Sequence, residues 1–115
     1  MEQTGRINCN TAMKNDSFIE LRKVLNRDLP VLISFYYVGD FSWHNMIELL
    51  SSVKRITGNT VCILKVKISK NDTLSEIYKL EAPNTLILFH KGEICWRKTG
   101  SISKTEILRE LALHC

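Results

Sequence analysis

Val31-Leu32-Ile33-Ser34-Phe35-Tyr36-Tyr37 is an almost unbroken apolar run, rich in β-branched and aromatic side chains, entered through Leu29-Pro30 and followed closely by Gly39. A strand with one wet face alternates apolar and polar residues, so a run with so little polar interruption predicts a central strand covered on both faces. Downstream, Trp43, Met46, Ile47, Leu50 and Val53 recur at helical spacing. They predict a helix from near Asp40 to Thr57-Gly58, where the glycine supplies the C-terminal turn. A second apolar run, Val61 to Ile68, predicts another strand. Strand, helix and strand in this order form a right-handed parallel unit, because parallel neighbours cannot be joined by a tight turn.

Further along, a short helix near Thr73 to Leu80 leads into the apolar run Thr85 to Phe89, and Lys91-Gly92 turns the chain into Ile94 to Lys98 as an antiparallel hairpin. Ser103 and Glu106 have capping-box spacing and open a last helix through Ile107, Leu108 and Leu111. On the N-terminal side, Ser17 and Glu20 repeat that spacing. Phe18, Leu21, Val24 and Leu25 share one face of a helix that runs to about Asn26, and a weak strand signal surrounds Ile7 to Cys9. The order is βαβαββα. It describes an α/β fold with a mixed central sheet, the parallel half first and the hairpin second, with helices on both faces.

At 115 residues with 44% hydrophobic content, residues 1–115 are expected to form one domain around one core. No run of about 18 apolar residues is present, which excludes a spanning helix. The N-terminal Met1-Glu2-Gln3-Thr4-Gly5-Arg6 lacks the apolar stretch of a secretory leader, so the expected compartment is the cytoplasm. The net charge of +4 comes from scattered lysines. Lys65, Lys67 and Lys70 read as solvation of a strand edge, and nucleic-acid binding is not indicated.

The sequence resembles thioredoxin over most of its length, on four stretches. Pro30 to Tyr36 is similar to the family's central strand and Tyr78-Lys79-Leu80 to its Tyr-Gly-Ile turn. Thr85 to Glu93 is similar to its hairpin, and Lys98-Thr99-Gly100-Ser101-Ile102-Ser103-Lys104 to its run into the last helix. The resemblance implies a thioredoxin-like three-layer sandwich. From Pro30 to Gly100 it needs no gap, and the family's Trp-Cys-Gly-Pro-Cys then falls on Gly39-Asp40-Phe41-Ser42-Trp43.

Neither cysteine of that dithiol is present. A carboxylate at Asp40 cannot attack a disulfide, a step that requires a thiolate. The family's buried aspartate aligns with Ser34 and its cis-proline with Asn84, with Pro83 one position early. Pro83-Asn84-Thr85 also resembles the spliceosomal thioredoxin-fold proteins, which lack the dithiol and bind other proteins. The resemblance thus implies a fold kept without its disulfide chemistry.

Each of these residues also has an ordinary structural role. Asp40 suits a helix cap, and a pairing of Asp40 with His44 one turn on would be weak. Trp43 suits core packing or a plug in the old site. Phe41, at the loop tip, suits recognition, because an aromatic buries much area for few rotamers. The 4 cysteines, Cys9, Cys62, Cys95 and Cys115, form no Cys-x-x-Cys and no metal spacing with His44, His90 or His114, so neither metal nor cofactor is expected. Cys62 and Cys95 read as buried, inert small hydrophobes. The family's sheet order brings Cys9 near Cys62, but a reducing cytoplasm argues against a disulfide there.

The expected function is that of a non-catalytic module binding a protein or an extended peptide. Its groove is formed by Asp40, Phe41, Ser42 and Trp43, by Pro83 and Asn84, and by Gly100 with Ser101. The alternative is a thiol-disulfide oxidoreductase using a single unconventional thiol, Cys115 or Cys9.

Overall fold

The computed structural model describes residues 12–13, 25, 28–37, 43–69, 73–80 and 84–114, with the backbone alone at 12–13, 43–44 and 73. The strands are β1 (Ala12–Met13), β2 (Val31–Tyr37), β3 (Cys62–Ile68), β4 (Asn84–His90) and β5 (Glu93–Thr99). The helices are α1 (Trp43–Thr57), α2 (Thr73–Tyr78) and α3 (Lys104–His114), with a single 3-10 turn at Gly58–Thr60. The short helix α2 stands where a helix near Thr73 to Leu80 is expected, between β3 and β4. The helix expected over Ser17 to Asn26 and the strand around Ile7 to Cys9 fall outside the described residues, apart from Leu25, which is helical and buried.

The sheet order is β1-β3-β2-β4-β5. β2 pairs in parallel with β3, from Val31 opposite Cys62 to Tyr37 opposite Ile68, and antiparallel with β4, from Val31 opposite Phe89 to Tyr36 opposite Asn84. The apolar run Val31–Tyr37 thus sits mid-sheet. Its alternation splits the core in two, because successive side chains leave a strand on opposite faces. Val31, Ile33 and Phe35 join Cys62, Leu64, Val66, Ile87 and Phe89 on one face, with Leu25 and Leu74 over them. Leu32 joins Ile63, Leu86 and Leu88 on the other, under Met46, Leu50 and Val53 of α1 and Ile107 and Leu111 of α3.

The turns follow the sequence closely. α1 stops at Thr57, and Gly58 takes φ +61, a left-handed conformation that glycine adopts without strain. Lys91 and Gly92 both have positive φ, 56 and 85, which gives the two-residue hairpin a twist matching its strands. At α3, Glu106 N–H donates to Ser103 Oγ at 3.1 Å and Ser103 N–H donates to Glu106 Oε1 at 3.1 Å, the reciprocal capping box.

Two expectations are corrected. Asn84, expected in the loop before the strand, is the first residue of β4, because the ladder with β2 extends to Tyr36. Cys62 is buried as expected, but it is closed in a disulfide rather than carrying a thiol, whereas Cys95 is free.

Candidate functional site

A cleft of about 560 Å³ opens where the first half of α1 faces the start of β4 and the turn after β5. α1 contributes Asn45, Met46 and Leu49, β4 contributes Asn84, and the turn contributes Gly100, Ser101 and Ile102. Local backbone physics shapes this mouth. Gly100 N–H donates to the Asn84 carbonyl at 3.1 Å, which pins the exit of β5 against the entry of β4. Gly100 holds φ +83, and a Cβ added there would meet nothing within 4 Å. Backbone conformation, not crowding, therefore selects glycine at this position.

The far side of the sheet is braced by the segment after α2. Lys79 sits at φ 54, a left-handed conformation costly for a side-chain-bearing residue, at the place where the family resemblance expects glycine. Its neighbours hold it. Tyr37 Oη donates to the Leu80 carbonyl and lies 3.1 Å from Ser75 Oγ. Arg97 of β5 donates to the Tyr78 carbonyl and, at 2.8 Å, to the Lys79 carbonyl, satisfying acceptors that the end of a helix leaves open. Tyr78 packs its ring on Phe35 and Phe89 at 5.8 and 5.6 Å between centroids.

The described lining of the cleft is mainly apolar, dotted with polar groups. Met46, Leu49 and Ile102 supply apolar walls that continue into the α1-side core, and the Asn45 and Asn84 amides supply polar points. Among the described residues, no thiol, carboxylate or imidazole lines it. Under α1, Ser34 is 1% exposed and its Oγ has no hydrogen-bond partner. Burial pushes the neighbouring Tyr36 phenol above its ordinary value, so it stays protonated. The free thiol of Cys95 is half-buried on β5, its Sγ 3.9 Å from the Glu93 carbonyl.

Of the site residues read from the sequence, Asn84 and Gly100 are brought together. Trp43 is the first residue of α1. Asp40, Phe41, Ser42 and Pro83 lie outside the described residues, as do the peptide bonds on either side of Pro83. Asn45, Leu49 and Ile102 were not anticipated as site residues, and Met46 was anticipated only as core. Their signal is weak because a helix flank becomes a groove wall only when a distant turn is folded against it.

No family profile matches the chain. Among curated proteins it is similar to thioredoxin Y1, chloroplastic, of Arabidopsis thaliana, 29% identical over 96 residues that make up 84% of this chain. The chain spans 55% of that relative's length. It is also similar to the thioredoxin of Buchnera aphidicola subsp. Acyrthosiphon pisum, 27% identical over 89 residues, covering 74% of this chain and 79% of the relative. A solved structure described as that of a malarial protein superposes with a TM-score of 0.68 at 17% identity, over 75% of this chain and 97% of the other. The strand order, the left-handed turn at Lys79 and these likenesses agree: the chain has a thioredoxin-like fold and is similar in sequence to thioredoxins at low identity.

Proposed function

We propose that this chain is a non-catalytic protein- or peptide-binding module that has lost the redox dithiol. Its cleft between α1, Asn84 and the Gly100–Ile102 turn holds an extended segment of a partner. The observation that carries the reading is the lining of the cleft, apolar walls with two amides and, among the described residues, no thiol, in a sequence where no two cysteines are spaced Cys-x-x-Cys. Disulfide exchange needs an accessible thiolate and a second thiol to resolve the mixed disulfide. An amide-dotted apolar groove instead suits a backbone laid along it, with side chains entering the pocket. On the family resemblance alone, the reading also assigns partner binding to Asp40, Phe41, Ser42, Trp43 and Pro83.

The test has two arms. In a disulfide-reduction assay against a Cys-x-x-Cys thioredoxin, this chain should give no turnover above background. A photo-cross-linker placed at Asn45 should capture a partner, and the purified partner should bind about tenfold more weakly to Ile102→Asp and to Phe41→Ala, as for central contacts of an interface. Equal turnover, or unchanged binding by both variants, overturns the reading.

The names of the relatives favour a second reading, a thiol-disulfide oxidoreductase working through a single thiol such as Cys115 or Cys9. It predicts turnover that disappears in a cysteine-free variant. Among the described residues no helix is long and apolar enough to cross a membrane. The cytoplasm is the proposed compartment, with the chloroplast the rival that the relatives' names suggest. Imaging of a tagged chain in its source cells separates the two.

A further inference from the structure

A second recess, of about 250 Å³, lies beside the later half of α1 and shares no lining residue with the cleft. Leu50, Ser51, Lys54 and Arg55 form its helical wall, and Ile63 and Lys65 of β3 form its sheet wall. The layering leaves it open. α3 lies against α1 on this face of the sheet, where Lys104 Nζ donates to Ser52 Oγ at 3.1 Å, and the side of α1 that carries Lys54 and Arg55 faces β3 instead.

Three of the six lining side chains are cations, and among the described residues no carboxylate lines the recess. Two of the three have an ordinary role. Lys54 and Arg55 lie in the last turn of α1, where cations complement the helix dipole. Lys65 has no such explanation. Its strand is interior, between β1 and β2, so the residue guards no sheet edge. It is half-buried, and across the parallel ladder it stands opposite Ser34, a neutral hydroxyl. The ion pairs among the described residues are Lys98–Glu106 and His114–Glu110, and neither includes a cation of the recess. Glu48, about two turns before Arg55 on α1, pairs with none of them.

A concave site lined by one sign of charge concentrates counter-ions. A phosphate ester suits this lining better than a carboxylate does. Its about two negative charges and three terminal oxygens engage the guanidinium fork of Arg55, both ammonium groups and the Ser51 hydroxyl together. The floor is apolar, with Leu50 and Ile63 each 1% exposed, and it suits the organic part of such an ester. Among the described residues no aromatic ring lines the recess, so it lacks the platform on which nucleic-acid bases stack. We propose that this recess binds a small phosphomonoester, with Ser51, Lys54, Arg55 and Lys65 on the phosphate and Leu50 and Ile63 under the organic group.

The experiment titrates the full nitrogen-15-labelled chain with phenyl phosphate at neutral pH and physiological salt, and reads amide NMR shifts. Saturating shifts should be confined to residues 50–55 and 63–65. Inorganic phosphate should move the same amides with about tenfold weaker affinity, for want of the ring, and phenol should leave them in place. Lys65→Gln and Arg55→Gln should each weaken phenyl phosphate about tenfold, as the loss of one charged hydrogen bond does. Lys79→Gln makes the same charge change on the other face of the sheet, between Tyr78 and Leu80, and should leave the affinity unchanged. If Lys65→Gln does not fold, the variant at the exposed Arg55 decides. The proposal is overturned by shifts that do not saturate, by phenol or inorganic phosphate binding as tightly as the ester, by unchanged affinity in the recess variants, or by an equal loss in Lys79→Gln. Tighter binding of oligothymidylate at the same residues also overturns it, since the recess would then belong to a nucleic-acid surface.

Discussion

Replacing Thr85 by valine should make this protein more stable, although it removes a polar group from the middle of a sheet. Thr85 lies on β4 opposite Phe35, is 1% exposed, and its Oγ1 has no hydrogen-bond partner. A buried hydroxyl in that state costs about 1 to 3 kcal/mol relative to one left in water. Valine keeps the β-branched shape that suits a strand and puts a methyl where the hydroxyl was, so no cavity forms. A net gain of about 1.5 kcal/mol is expected. At roughly 2.1 cal/mol/K of unfolding entropy per residue, 115 residues give about 0.24 kcal/mol for each kelvin, so the melting temperature should rise by about 6 °C. The assay is a thermal melt followed by circular dichroism, with urea unfolding as a second measure. Thr85→Ser is the control: it keeps the hydroxyl, loses a buried methyl, and should cost about 1 kcal/mol. If Thr85→Val melts lower than the wild type, the hydroxyl has a partner in solution and the reasoning is wrong.

Lys79→Gly should stabilise by about 1 kcal/mol in urea unfolding, since glycine takes φ 54 without the Cβ penalty that lysine bears there; an unchanged or lower midpoint counts against strain at that turn. Hydrogen bonds from Lys98 and then from the Ser103 backbone hold the Glu106 carboxyl below its ordinary value of 4.5. Its folded form therefore favours the ionised state, and the stability it contributes is present above about pH 4.5 and is lost as pH falls through the depressed value. Glu106→Gln should accordingly lower the melting temperature at pH 7 and narrow the difference from wild type at pH 3; an equal difference at both pH values refutes the assignment.

How much was legible follows from where information lies in a chain. β2 was readable because a strand buried on both faces has no room for polar residues, so Val31 to Tyr37 announces its place. The Ser103–Glu106 box and the Lys91-Gly92 turn were readable because their chemistry is local. Asn84 was misread as loop because the length of β4 is decided by its partner β2, a non-local fact. The cleft was half legible. Asn84 and Gly100 came from a family resemblance, whereas Asn45, Leu49 and Ile102 have ordinary sequence surroundings and meet only across the fold. Cys62 was misread as a free, inert thiol because a disulfide depends on where a second cysteine folds, which the apolar surroundings of one strand do not carry.

The bulge on β5 bears on how copies of this chain meet. Leu88 pairs with Trp96 and Phe89 with Ile94, so Cys95 is the extra residue that bends the outer strand. The same strand carries Arg97 and Lys98, with Arg97 folded back onto the end of α2 and Lys98 onto Glu106. A bent rim studded with engaged cations offers no flat row of backbone groups for a second sheet to zip onto. On this side the molecule is protected against open-ended stacking, and a crowded solution of it should stay free of fibres nucleated at β5.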